Sequence, residues 1–161
     1  MQALIRRLAV ATAVLALTLP PDVTRAAGPF SGMAGAWSGG GIISMSDGKR
    51  ERLRCRANYT VDQDGNNVQL GIRCASDSYR FDLSGYVTHR GGSISGQWSE
   101  TSYNSAGTLT GRASGNQLQA LAIGNTFSAR LTMATSGGRQ SVTIRPEGTA
   151  VERVQLSLSK R

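Results

Sequence analysis

The chain is predicted to be all-β: an antiparallel up-and-down meander of about 8–10 strands closing into a soluble barrel or flattened barrel. Three observations predict it. Apolar and polar residues alternate with a period of two, most strictly between Arg50 and Ser76. Turn residues recur at roughly ten-residue intervals, at Asp47-Gly48, Asp64-Gly65, Gly91-Gly92, Ser114-Gly115-Asn116, Gly124-Asn125 and Gly137-Gly138. Beyond the first 26 residues, no stretch shows a helical period with caps.

The stretch from Arg50 to Ser76 alternates strictly enough to define its own register. Leu53, Cys55, Ala57, Tyr59 and Val61 share one face, and Arg50, Arg52, Arg54 and Arg56 share the other. Folding about Asp64-Gly65 sets Val61 opposite Val68, Tyr59 opposite Leu70, Ala57 opposite Ile72, and Cys55 opposite Cys74. The two cysteines of the chain thus meet, and a disulfide is expected between Cys55 and Cys74.

The remaining strands follow in order. A first strand spans about 36–46, with Ile42 and Ile43 as its apolar part. Gly39-Gly40-Gly41 interrupts it and implies a bulge or a close approach by another backbone. Asp47-Gly48 then sets Ile42 opposite Leu53 and Gly40 opposite Cys55. One extra residue in the glycine run is expected to turn Trp37 inward. A strand at 79–88 puts Tyr79, Phe81, Leu83, Gly85 and Val87 on one face, and Gly91-Gly92 folds it onto 93–102. Gly85 then meets Trp98, Val87 meets Gly96, and Leu83 meets Glu100, expected as a hydrated carboxylate at the barrel rim. Strands at 108–113 and 117–123 alternate weakly. The next pair, 127–135 and its partner after Gly137-Gly138, sets Met133 against Val142 and Leu131 against Ile144. A last strand at 151–159 turns Val154, Leu156 and Leu158 inward.

Residues 1–26 are expected to be a secretory signal peptide: Arg6 and Arg7, an apolar run from Leu8 to Leu19, then small residues near Ala26-Ala27. Residues 27–34 read as a flexible lead-in and 35–161 as a single β-barrel domain. Export places the chain in the periplasm or outside the cell, where a disulfide persists. The formal charge is +8, and +6 without the first 26 residues. Arg52, Arg54, Arg56, Arg73, Arg80, Asp82 and Arg130 fall on the outward face, where an outer-membrane barrel needs apolar residues. The mature chain has no apolar run long enough for a transmembrane helix.

Gly35-Ala36-Trp37 at the start of the first strand resembles the Gly-x-Trp signature of the calycin group, which includes lipocalins, avidin-like proteins and bacterial metalloprotease inhibitors. Ile94-Ser95-Gly96-Gln97-Trp98 resembles the strands of avidin-like barrels. The resemblance implies a barrel with Trp37 at its floor against an arginine from a late strand, Arg145 or Arg153. The lipocalin Thr-Asp-Tyr element is absent, and the resemblance implies no ligand.

Catalytic chemistry needs a positioned nucleophile, acid or base. His89, the one histidine, sits beside the Gly91-Gly92 turn, where exposure is expected, and no Gly-x-Ser-x-Gly elbow is present. The acids cluster near turns, and Asp62, Asp64 and Asn66 read as a turn rather than a calcium loop. A non-enzymatic protein with no cofactor and no metal is therefore expected. Trp37, Tyr59, Phe81 and Trp98 are the candidate lining of a small-ligand cavity. Arg50, Arg52, Arg54, Arg56 and Arg73 form a candidate anion-binding surface, relieved by Asp77 or Glu51 where they approach. Nucleic acid is disfavoured because no aromatics interleave with these bases. Two function classes stay open. One is an exported periplasmic binding barrel for a small ligand or an anionic cell-envelope component. The other is a protein-binding module, such as an inhibitor of an exported protease, that inserts residues 28–34 into its partner.

Overall fold

The Arg50–Ser76 hairpin forms two adjacent strands of the architecture. In the computed structural model, which describes residues 27–161, β2 (Arg50–Val61) and β3 (Asn67–Ala75) pair in the expected register. Cys55 and Cys74 stand directly opposite, 4.1 Å apart at Cα, and form a disulfide. The meander continues through β4 (Arg80–Arg90), β5 (Ser93–Glu100), β6 (Ser105–Ser114), β7 (Gln117–Gly124), β8 (Ser128–Ser136), β9 (Arg139–Glu147) and β10 (Val151–Lys160). β10 returns to pair with β1 (Gly35–Met45), closing a ten-strand antiparallel barrel. The pairs Gly85–Trp98, Val87–Gly96, Met133–Val142 and Leu131–Ile144 form as the alternation predicts. Residues 1–26, and with them the expected signal peptide, lie outside the described residues. Among the described residues no helix is long and apolar enough to cross a membrane.

The β1–β2 register differs from expectation by one residue. Gly41, not Ile42, faces Leu53, and Gly39, not Gly40, faces Cys55. The extra residue lies in the turn and not in the glycine run. Ser46, Asp47 and Gly48 form a three-residue loop, with Gly48 at φ +87° and the Met45 N–H bonded to the Lys49 carbonyl at 2.8 Å. This shift alone turns Trp37 and Ile43 inward, to 1% and 0% exposure. The glycine run meets the second need identified for it, close backbone approach. A Cβ on Gly39 would stand 2.0 Å from the Ser157 carbonyl oxygen, and one on Gly41 1.8 Å from that of Gln155.

Residues 27–34 are folded onto the barrel, contrary to the expected flexible lead-in. The Gly28 and Phe30 N–H groups bond to the Asp64 and Gly65 carbonyls at 2.8 and 3.0 Å. A single 3-10 turn, Ser31–Met33, follows, and Phe30 and Met33 are buried. The apolar pair at Phe30 and Met33 supplies the burial energy that a loop of glycine and serine alone could not. The Trp37 indole N–H donates to the Met33 carbonyl at 2.7 Å, so this segment closes one end of the barrel over the tryptophan. Tyr59 packs edge-on against Trp37 at 6.3 Å. Its hydroxyl donates to Gln140 Oε1 at 2.8 Å, and Gln140 Nε2 donates to Thr135 Oγ1 at 3.1 Å, so these buried polar groups have partners.

Two outcomes follow. Replacing both cysteines by serine removes a cross-link over a 19-residue separation, and urea denaturation will show a loss of about 3 kcal/mol; an unchanged midpoint contradicts the stapled hairpin. Burial pushes the Tyr59 phenol up from 10.0 to about 12, against a smaller opposing effect of its Gln140 hydrogen bond. The folded value is the raised one, so the associated stability is present below pH 10.0 and lost as pH rises through about 12. Ultraviolet titration will show a late-ionising tyrosine that disappears in Tyr59→Phe.

Candidate functional site

Alternation puts Arg50, Arg52, Arg54 and Arg56 on the outward face of β2, and all four are exposed. Successive members sit about 6.7 Å apart along the strand. At that spacing in water, neighbouring unit charges repel by only about 0.6 kcal/mol, further reduced by salt. A hydrated stripe of this kind is tolerable, and a bound anion relieves several repulsions at once. Among the described residues none of the four has a carboxylate within ion-pair distance. Arg73 stands opposite Arg56 and is paired with Asp82 at 3.0 Å. The expected relief by Glu51 and Asp77 is not what forms. Glu51 accepts hydrogen bonds from Ser76 Oγ and the Ser78 N–H at 2.7 and 3.1 Å, and Asp77 makes no ion pair among the described residues.

Barrel closure enlarges this face with arginines that the hairpin alone does not reveal. Ser44 pairs with Arg50 on one side and Arg153 on the other. Ser38 pairs with Arg56 and accepts a hydrogen bond from Arg161 Nε at 2.9 Å. Ala75 pairs with both Arg54 and Arg80. Ser38, Ser44 and Ala75 therefore lie between arginines, while Ile42 stands beside Arg52. Arg80 could have been found by extending the β3–β4 register. Arg153 and Arg161 could not, since nothing local to them signals which strand closes the barrel.

The four candidate ligand-binding aromatics do not share one cavity. Trp37 and Tyr59 are packed into the closed end, where the remaining space beside Phe30 and Met33 is about 10 Å³. Trp98 is buried, donates its indole N–H to the Thr108 carbonyl at 3.1 Å, and packs on Phe127 at 5.5 Å. Phe81 lies toward the opposite end, between Tyr79 and Tyr103 at 6.5 and 5.8 Å. The late-strand cation over Trp37 is Lys160, 5.9 Å from the ring, in place of the expected arginine. Arg145 is exposed opposite Arg130, and Arg153 pairs at the far end of β1.

Three polar residues singled out by the sequence are structural. Glu100 is 6% exposed, not a hydrated rim group. Its two oxygens accept the N–H groups of Asp82, Ser102 and Tyr103 at 2.7, 3.0 and 2.7 Å. Burial pushes this carboxyl up, but the backbone donors outweigh it and hold the group below its usual range. Asp62 accepts the N–H groups of Asn66 and Asn67, and the Asn67 side chain and backbone lower its carboxyl. His89, expected to be exposed, is half-buried against Phe30. Its Nε2 accepts the Gly92 N–H at 3.1 Å, which leaves Nδ1 to donate to Asn66 Oδ1 at 2.9 Å.

No protein-family model matches the chain, and no curated protein matches it. Its fold does match solved structures. Rv2717c from M. tuberculosis superposes with a TM-score of 0.68 at 11% identity, covering 81% of this chain and 94% of that one. The S-type phycobiliprotein lyase CPES from Guillardia theta gives 0.59 at 11% identity, covering 82% and 89%. Both are ten-strand antiparallel barrels of the calycin-like type, so the architecture implied by Gly35-Ala36-Trp37 is the one observed. Likeness at this identity concerns the fold, and function lives in the site built on it. The comparison nevertheless corrects the expectation of a non-enzymatic protein. A barrel of this type carries the name of a lyase, so a single histidine and few acids are no ground for excluding catalysis.

Glu100 supplies a direct check on the loop it holds. Glu100→Ala will cost about 1–3 kcal/mol in urea denaturation, because three donors lose their acceptor. Its depressed value means the contribution is present above pH 4.5 and lost as pH falls through the folded value. Glu100→Gln will flatten that acid limb; a variant with the parent's acid limb contradicts the role.

Proposed function

We propose that this chain is an exported, calycin-like binding barrel whose outward arginine face holds an anionic cell-envelope component. The observation that carries the reading is the β2 stripe: Arg50, Arg52, Arg54 and Arg56 without a carboxylate partner among the described residues. Register then extends it through Arg153 and Arg80, and the Arg161–Ser38 hydrogen bond through Arg161. Guanidinium groups bind phosphate and carboxylate bidentately, and a row of them matches a surface or polymer of repeated negative charge. Export to an oxidising compartment is supported by the Cys55–Cys74 disulfide and by the charged-then-apolar order of residues 1–26. The protease-inhibitor reading loses its main support, because residues 28–34 are docked on their own barrel.

The test compares the parent chain with Arg52, Arg54 and Arg56 all changed to serine. Binding to anionic liposomes and to lipopolysaccharide will fall at least tenfold in the triple variant, with no change in unfolding midpoint. The parent's affinity will drop steeply between 50 and 200 mM salt, as counterion release requires. Equal binding by both proteins contradicts the reading.

A further inference from the structure

At the barrel end away from Trp37, the β3–β4 and β5–β6 loops leave between them an open cleft of about 480 Å³. Residues Ser76 to Arg80 form one wall, and Ser102 and Tyr103 the other. The volume falls within the range of small-molecule sites.

Three properties mark this cleft as a built surface. Its walls are fixed from behind by two carboxylates, Glu51 on Ser76 and Ser78, and Glu100 on Ser102 and Tyr103. Such loops need little further ordering when a ligand arrives. Its aromatic part is continuous: Tyr79 stacks on Phe81 at an interplanar angle of 8°, and Phe81 touches Tyr103. Tyr103 nevertheless stays 54% exposed, with ring surface that nothing among the described residues covers. Around the rings stand short hydroxyl side chains, the unpaired carboxylate of Asp77 and the unpaired guanidinium of Arg80, both unpaired among the described residues.

We infer that this cleft is a subsite for one acidic saccharide unit. A sugar ring offers an apolar C–H face to the negative face of an aromatic ring. Its hydroxyl edge can donate to the Asp77 carboxylate. Its carboxylate or phosphate suits Arg80. Arg80 also belongs to the row of Arg54 through Ala75, so the cleft opens at the border of the arginine face. A polymer lying on the stripe would place one unit in the cleft. That polymer form rests on the proposed function above, whereas occupancy by a free unit does not.

The experiment is a titration of the full chain with galacturonic acid, galactose and a hexameric oligogalacturonate, read by backbone amide shifts and tyrosine fluorescence. Galacturonic acid will shift Ser78, Arg80, Ser102 and Tyr103. Tyr103→Ala, which keeps its backbone N–H on Glu100, will weaken binding at least tenfold. Arg80→Gln will erase the preference over galactose while leaving galactose itself bound. The serine variant of Arg52, Arg54 and Arg56 will bind the monomer normally and lose the hexamer's gain. Failure of that last effect alone counts against the arginine reading and not the cleft. Absence of shifts at the cleft, full affinity in Tyr103→Ala, or tighter binding of uridine monophosphate than of galacturonic acid overturns the inference.

Discussion

Closure of the barrel depends on how near β1 can come to both of its neighbours. At Gly39 and Gly41 the β10 backbone occupies the place of a side chain, and at Gly40 a Cβ would stand 2.5 Å from the Leu53 carbonyl of β2. Residues with a side chain at these positions would push one neighbour away, and the meander would open at the seam between its two ends. An open seam exposes unpaired backbone on two strands, a condition that closed barrels abolish. The three successive glycines therefore carry the topology, although they contribute no side-chain contact.

Closure also decides what the surface can do. The β2 arginines come from one hairpin, but Arg153 arrives from the last strand and Arg161 from just beyond it, and only the β1–β10 seam brings them alongside. The two barrel ends are meanwhile divided in labour. One is sealed by Phe30, Met33, Trp37 and Tyr59, with Gln140 satisfied inside. The other keeps its loops shaped by buried or shielded carboxylates and leaves Tyr103 uncovered. Stability is concentrated where packing is dense, and the features suited to recognition lie where it is not, as is usual for sites on loops over a rigid scaffold.

Much of the fold was legible in the sequence because a period-two pattern has only one workable register once a turn is placed. The β2–β3, β4–β5 and β8–β9 pairings follow from that rule. The β1–β2 pairing did not, since Asp47-Gly48 suits both a two-residue and a three-residue loop, and the choice rests on Gly48 and its neighbours in space. The docking of Phe30 and Met33 was hidden because a single 3-10 turn has no periodicity to detect. For the site, the outward stripe could be read from alternation, whereas its extension and the Tyr79–Phe81–Tyr103 cluster required contacts between strands and loops far apart in sequence. The expected cavity of four aromatics failed for a related reason: sharing the inward face says nothing about height along the barrel axis.

Under the proposed function, barrel closure assembles one anion-binding face from both parts of the chain. Arginine Nε–H NMR during titration with a short inorganic polyphosphate tests it most directly. Arg50, Arg52, Arg54, Arg56, Arg153 and Arg161 are expected to shift together, at concentrations where Arg112 on β6 does not move. Uniform shifts across all arginines, or none in this group, would contradict it.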